Sequence, residues 1–236
     1  MKKAIKNLSI LFSAAILSMT AISCSNDDDI SSDDDGGTPT SELMGEITSD
    51  LTLDASINYT LSGILSVEDG AKLTIPAGTT ITTGVGTDVY IAVQKGAQID
   101  IQGTAGAPVK MGPSTSGEWG GLILLGDATT TAGTNATAEV GGLIYGGSNN
   151  SDNSGSIKYL VIEQSGAQIN ADSQYNGLTL YAVGSGTTIE NVAIINGTDD
   201  GIEFFGGTVN ARFVSVLGSQ DDSVDWTEGY VGTLTD

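Results

Sequence analysis

Between Asn196 and Tyr230 the sequence places carboxylates at the corners of a repeat. Asp199-Asp200 recurs as Asp221-Asp222, Glu203 as Asp225, Phe204 as Trp226 and Gly207 as Gly229, each 22 residues later. If the repeats stack, acids in register lie one strand spacing apart, about 4.8 Å. Two carboxylates at that distance repel by roughly 1 kcal/mol in water and about 3 to 4 kcal/mol at an effective dielectric of ~20. Such a column has to be solvated, partly protonated or bridged by a cation. Oxygen donors suit a hard cation, and Ca²⁺ accepts irregular sets of carboxylates and corner carbonyls. The expected metal site is Asp199, Asp200, Asp221 and Asp222 with Glu203 or Asp225. The competing reading is that corner aspartates close Asx turns onto their own backbone and face water. Neither a D-x-D-x-D-G loop nor a nonapeptide Ca²⁺ repeat is present.

A second kind of chemistry is recognition by stacking. If the strands alternate, Tyr181, Phe205 and Trp119 point outward and form an aromatic strip for a sugar ring; the alternative is that these rings fill corners or lie under a loop. Tyr145, Tyr159 and Trp226 read as packing residues. The chain contains no histidine, which removes the usual general bases, and it has no phosphate loop, zinc spacing or Ser-His-Asp set. Arg212, the single arginine, points outward by alternation and is expected to neutralise part of the acid column, or to serve as a base.

The elements that must carry these residues are short strands cut by glycine. Leu65-x-Val67-x-x-Gly70-Ala71-x-Leu73-x-Ile75 returns as Ile91-x-Val93-x-x-Gly96-Ala97-x-Ile99-x-Ile101, 26 residues on. Period-two alternation turns Val67, Leu73 and Ile75 to one face and Glu68, Lys72 and Thr74 to the other, with Gly70 and Gly96 at the corners. A repeat of this length cannot bury its apolar face alone and must stack on its neighbours. Strands led by Gly121, Gly177 and Gly201, and the strand Val224–Thr227, continue the pattern. From Asp127 to Ser154 the rhythm breaks into Thr, Ala, Gly and Asn, which reads as a loop insertion on one face. No amphipathic helical period of useful length follows the N-terminal segment. The expected fold is all-β, a right-handed parallel β-helix over residues 46–236; a β-sandwich would show hairpin turns instead. Because the text stops a few residues into a repeat without a polar cap, the chain reads as a truncated one.

Composition sets the address and excludes partners. The formal charge is −21, with 29 Asp and Glu against 8 Lys and Arg. Such a polyanion has no electrostatic footprint for nucleic acid or anionic headgroups, which leaves cations, glycans or other proteins. Residues 1–23 combine a basic start (Lys2, Lys3, Lys6) with an apolar run from Leu8 to Leu17, too short for a permanent span and suited to a secretory signal. Ala21-Ile22-Ser23-Cys24 resembles a bacterial lipobox, which implies lipidation at Cys24. Ser25-Asn26-Asp27-Asp28-Asp29 resembles the acidic signal that sends Bacteroidota lipoproteins to the outer face of the outer membrane. Residues 24–45, rich in Ser, Asp, Gly and Thr, read as an acidic tether that cannot bury enough surface to order itself.

The strings Gly117-Glu118-Trp119-Gly120-Gly121-Leu122, Asn176-Gly177-Leu178-Thr179-Leu180, Asp199-Asp200-Gly201-Ile202-Glu203-Phe204-Phe205-Gly206-Gly207 and Asp221-Asp222-Ser223-Val224-Asp225-Trp226 together resemble a family of secreted bacterial β-helix lipoproteins with a pectin-lyase-like fold. The resemblance runs from about Leu61 to the end and implies fold and address, not activity. Polygalacturonase-like enzymes of related fold also cluster aspartates, but this chain lacks their G-H-G and R-x-K segments. The expected function is therefore a surface-anchored, non-catalytic adhesion or glycan-binding module stabilised by Ca²⁺. The alternatives are a polysaccharide lyase or hydrolase using the Asp columns and a structural solenoid of a larger surface assembly.

Overall fold

In a computed structural model, the structure describes residues 40–171 and 173–236. The expected secretory segment and Cys24 lie outside them. Among the described residues eighteen strands occur in chain order: β1 (Thr40–Ile47), β2 (Leu51–Thr52), β3 (Asn58–Val67), β4 (Lys72–Pro76), β5 (Thr80–Thr83), β6 (Ile91–Val93), β7 (Gln98–Gln102), β8 (Val109–Pro113) and β9 (Leu122–Leu125), then β10 (Ala136–Thr137), β11 (Ile144–Tyr145), β12 (Gly155–Glu163), β13 (Leu178–Tyr181), β14 (Thr188–Ile195), β15 (Ile202–Phe205), β16 (Asn210–Leu217), β17 (Val224–Thr227) and β18 (Leu234–Thr235). No helix is present among the described residues.

Among the described residues the named strands pair in parallel except for the small β10–β11 hairpin, and the isolated bridges Thr104–Ala107 and Gln168–Gln174 are antiparallel. They resolve into three faces. The first runs from the second half of β3 through β6, β9, β13 and β15 to β17. The second passes through β2, β4 and β7 and the first halves of β12, β14 and β16 to β18. The third joins the first half of β3, β5, β8 and the second halves of β12, β14 and β16. Each circuit of the chain visits the three in turn, which is a parallel β-helix, as the repeats require. The offset of 26 is a true rung: Leu65 pairs with Ile91, Val67 with Val93, Leu73 with Ile99 and Ile75 with Ile101.

The interior is filled by side-chain columns that the registers define. Ile91, Leu122, Leu178, Ile202 and Val224 form one, and Val93, Leu124, Leu180, Phe204 and Trp226 form another. Along them Leu122, Leu124, Leu178, Leu180, Ile202 and Phe204 are wholly buried. At about 25 cal/mol per Å² of apolar surface, this column packing is the main force that holds the rungs in register. Glycine leads the first-face strands because the rungs close tightly there. A Cβ at Gly121 would lie 2.2 Å from the Asn176 carbonyl oxygen, and one at Gly177 would lie 2.6 Å from that of Gly201. Trp226, read from sequence as a packing residue, keeps its inward register opposite Phe204 and is 65% exposed, with no rung stacked on it among the described residues.

Two corners turn on single left-handed residues stacked rung upon rung. Between the second and third faces these are Tyr159, Asn191 and Phe213, with φ of 50°, 57° and 56°; between the third and first they are Gln164, Asn196 and Gly218. Asn and Gly occupy this region readily, whereas bulkier residues are held there at a cost of about 1–2 kcal/mol each.

The coil begins earlier than the composition suggests. β1 starts at Thr40, inside the stretch expected as tether, because Leu43 pairs with Leu61 and is buried. Residues 126–154 leave the coil between β9 and β12 and carry the β10–β11 hairpin.

Candidate functional site

The outer surface of the first face changes character along the stack. Its outward column runs Ala92, Ile123, Thr179, Glu203, Asp225, and a second runs Leu125, Tyr181, Phe205, Thr227. Alternation points these side chains away from the interior, as the sequence reading expects, yet most are not exposed. Residues 126–154 fold over this face and build a second core from Ala138, Val140 and Tyr145 against Tyr90, Ile123, Leu125, Tyr175, Tyr181 and Phe205. Tyr181 stacks on Phe205 with ring centroids 4.3 Å apart and meets Tyr145 at 4.7 Å.

The aromatic strip expected at Trp119, Tyr181 and Phe205 is therefore not a surface. Tyr181 is 1% and Phe205 7% exposed, both beneath the inserted loop. Trp119 points the other way, into the coil, where it is wholly buried and its indole N–H donates to the Glu163 carbonyl at 2.9 Å. Trp119 makes only isolated bridges to Gly86 and Ser165, so strand alternation does not govern its direction.

The acids do converge, in two groups that share Asp200. Asp199, Asp200 and Asp221 each offer an oxygen within 4.8 Å of the others, and so do Asp200, Glu203 and Asp225. Register explains this: Glu203 pairs with Asp225 on adjacent strands, and the two Asp-Asp corners precede those strands one rung apart. Asp222 belongs to neither group; its backbone N–H donates to Asp200 Oδ1 at 2.8 Å. Asp199 is half-buried, Asp200 and Glu203 are buried, and Asp221 is exposed, so the cluster opens to solvent at the corner and closes toward the loop.

Burial and mutual repulsion leave Asp199, Asp200 and Glu203 reluctant to ionise. Desolvation first, then the neighbouring charge of Asp221, pushes Asp199 up to about 6. Desolvation does the same for Asp200, against the lowering effect of the Asp222 N–H. Glu203 is pushed up to about 9, by desolvation and by the charge of Glu139 on the inserted loop, although Asn176 Nδ2 donates to its Oε2 at 2.6 Å. Sequence reasoning missed Glu139, since no repeat contains it, and Asn176, whose role depends on the rung below.

Two buried polar atoms beside the cluster lack partners among the described residues. They are Asn176 Oδ1, in a residue 2% exposed, and the Tyr181 hydroxyl. A buried carbonyl oxygen without a donor is costly, and here it sits on the residue that already holds Glu203. The converging carboxylates form an all-oxygen set that fits a hard cation.

Arg212 does not neutralise this cluster. It lies on the second face and bridges Glu190 through Nη2 at 2.6 Å. The other ion pair among the described residues, Lys95 with Asp127, also leaves the cluster untouched. Among the described residues no arginine or lysine forms an ion pair with these acids.

No curated protein and no solved structure matches the chain. The model of one family, described as a pectate-lyase like beta helix domain, matches residues 45–236. That match spans the stack of rungs, the inserted loop and the acid cluster, and the chain belongs to this family of pectate-lyase-like β-helix domains.

Proposed function

We propose that this β-helix is a non-catalytic binding module, stabilised by Ca²⁺ at the acid cluster and anchored through Cys24 as a lipoprotein on the outer surface of the outer membrane, where it engages glycans. The observation that carries the cation site is the convergence of five carboxylates in two groups that share the buried Asp200. Asp199, Asp200 and Asp221 would supply the open side, and Asp200, Glu203 and Asp225 the enclosed side. A cation there relieves the repulsion of the column and joins adjacent rungs through their side chains, which stabilises the folded state by mass action.

Calorimetric titration of the full chain with CaCl₂ tests this, alongside the Asp200→Asn, Asp225→Asn double variant. Saturable binding that the variant loses, with a rise in melting temperature of the parent only, is the expected result. Absence of binding to the folded parent removes the cation and leaves the acids as protonated or solvated turn residues.

One observation favours hydrolysis as a second reading. Glu203, held protonated near neutrality, lies beside the carboxylates of Asp200 and Asp225, as a general acid lies beside its ionised partner. New reducing ends from a polysaccharide panel, lost in Glu203→Gln, would establish it; retention without cleavage supports the binding module.

A further inference from the structure

The three faces of the coil differ in what lies on their outer surfaces. The first is covered by residues 126–154. The second is lined with charge: its outward column Gln102–Lys158–Glu190–Arg212 carries three ionised groups on adjacent strands, and Asp100 stands in the column beside it. The third, among the described residues, has neither the cover nor the charge. From β5 to β16 its outward positions form two columns. One runs Thr80, Lys110, Val161, Ala193, Ser215, and the other Thr82, Gly112, Glu163, Ile195, Leu217. Lys110 and Glu163 are the charged members, of opposite sign, and neither forms an ion pair among the described residues.

Toward β14 and β16 this surface becomes apolar and takes on relief. Ile195 is half-buried, Leu217 is 67% exposed, and Phe213 at the adjoining corner is 47% exposed. Beside the Ile195–Leu217 ridge lies a groove of about 410 Å³, lined by Val161, Ala193, Phe213 and Val214 and flanked by Thr104 and Pro108. Its one charged lining residue, Asp236, follows β18 and stands past β16. Ile195 and Leu217 are two residues further along their strands than Ala193 and Ser215, so ridge and groove are neighbours roughly 7 Å apart.

We infer that the outer surface of the third face docks a second copy of this chain about a two-fold axis. A two-fold contact uses one patch twice, so projection and recess have to lie side by side on it, as they do here. An axis along the stack, close to the Val161–Ala193–Ser215 column, sets Leu217 of each copy opposite the groove of the other. The small Ala193 and Ser215 let the two sheets approach on that axis. Lys110 then falls across from Gly112 of the second copy, one strand from its Glu163, so the two lone charges of the patch find opposite partners between copies. Two chains of formal charge −21 repel elsewhere on their surfaces, which favours contact where acids are sparse. The patch measures roughly 19 by 14 Å from strand and residue spacings. That is small against the ~800 Å² per partner of a stable specific interface, so a weak, reversible dimer is expected.

Sedimentation equilibrium of the full chain from about 10 μM to about 1 mM tests this, the range that so small an interface calls for. The variants are Leu217→Asp, Lys110→Glu, Glu163→Lys and the last two combined; all change outward side chains, and melting curves check that each is folded. The parent should show a monomer–dimer equilibrium that Leu217→Asp weakens about tenfold or more. Each charge reversal should weaken it as well, and the combined reversal should recover part of the loss. Asp200→Asn should leave it unchanged, since the contact makes no use of the acid cluster. A cross-link fixes the geometry. In a Cys24→Ser background, Ala193→Cys should give an intermolecular disulfide on oxidation, whereas Thr188→Cys on the second face should not. A folded parent that stays monomeric over the whole range overturns the inference. So does a dimer indifferent to Leu217→Asp and to both reversals, or one that cross-links equally through positions 188 and 193.

Discussion

Glu203 shows how one residue turns position into chemistry. An outward place on a strand would leave it solvated, but the inserted loop buries it beside Glu139, Asp200 and Asp225. Its carboxyl ionises near pH 9 in the fold and at the ordinary 4.5 in the unfolded chain. Between those values the folded state binds the extra proton, so this group stabilises the fold at low pH and the contribution is lost as pH rises. Asp199 and Asp200, raised to about 6, act in the same direction over a lower range. In the presence of chelator the melting temperature is therefore expected to fall as pH is raised from about 5 to about 9. Glu203→Gln should flatten the upper part of that slope, and thermal melts across the range measure it. A slope unchanged by the substitution would mean that Glu203 ionises freely in the fold.

At the scale of elements, legibility followed periodicity. The offsets of 26 and 22 were visible because inward columns need the same residue class at each rung, and they became real pairings at Leu65–Ile91 and Phe204–Trp226. The stretch from Asp127 to Ser154 has no period, so the sequence could mark it as an insertion but not say where it packs. That gap hid the second core, and with it the burial of Tyr181 and Phe205. The loop is tied down from the far end of the stack. Tyr145 donates its hydroxyl to Glu228 at 2.8–2.9 Å, Thr130 Oγ1 donates to Glu228 Oε2 at 2.6 Å, and the Thr131 N–H donates to the Glu228 carbonyl at 3.0 Å. Glu228→Ala removes the side-chain bonds and leaves the hydroxyl of the buried Tyr145 without an acceptor. A loss of about 1–3 kcal/mol is expected. Faster hydrogen exchange should follow in residues 136–147 while β4 and β7 stay protected; uniform exchange across the chain would contradict the assignment.

For the whole molecule, a solenoid is ordinarily a one-dimensional object whose units contact only their neighbours and whose ends fray independently. The clasp between the inserted loop and Glu228 changes that arithmetic. A loop leaving the coil after β9 finds its acceptor 83 and 98 residues later, beyond β17, so its docking has to wait for the last three first-face strands to assemble. Assembly of β13, β15 and β17 thus becomes a condition for closing the second core, and closing that core in turn restrains the rung of β17. Loss of either end of the clasp would release the other. The later rungs and the inserted loop should consequently melt as one cooperative block, with a single transition where an unclasped array would peel away turn by turn.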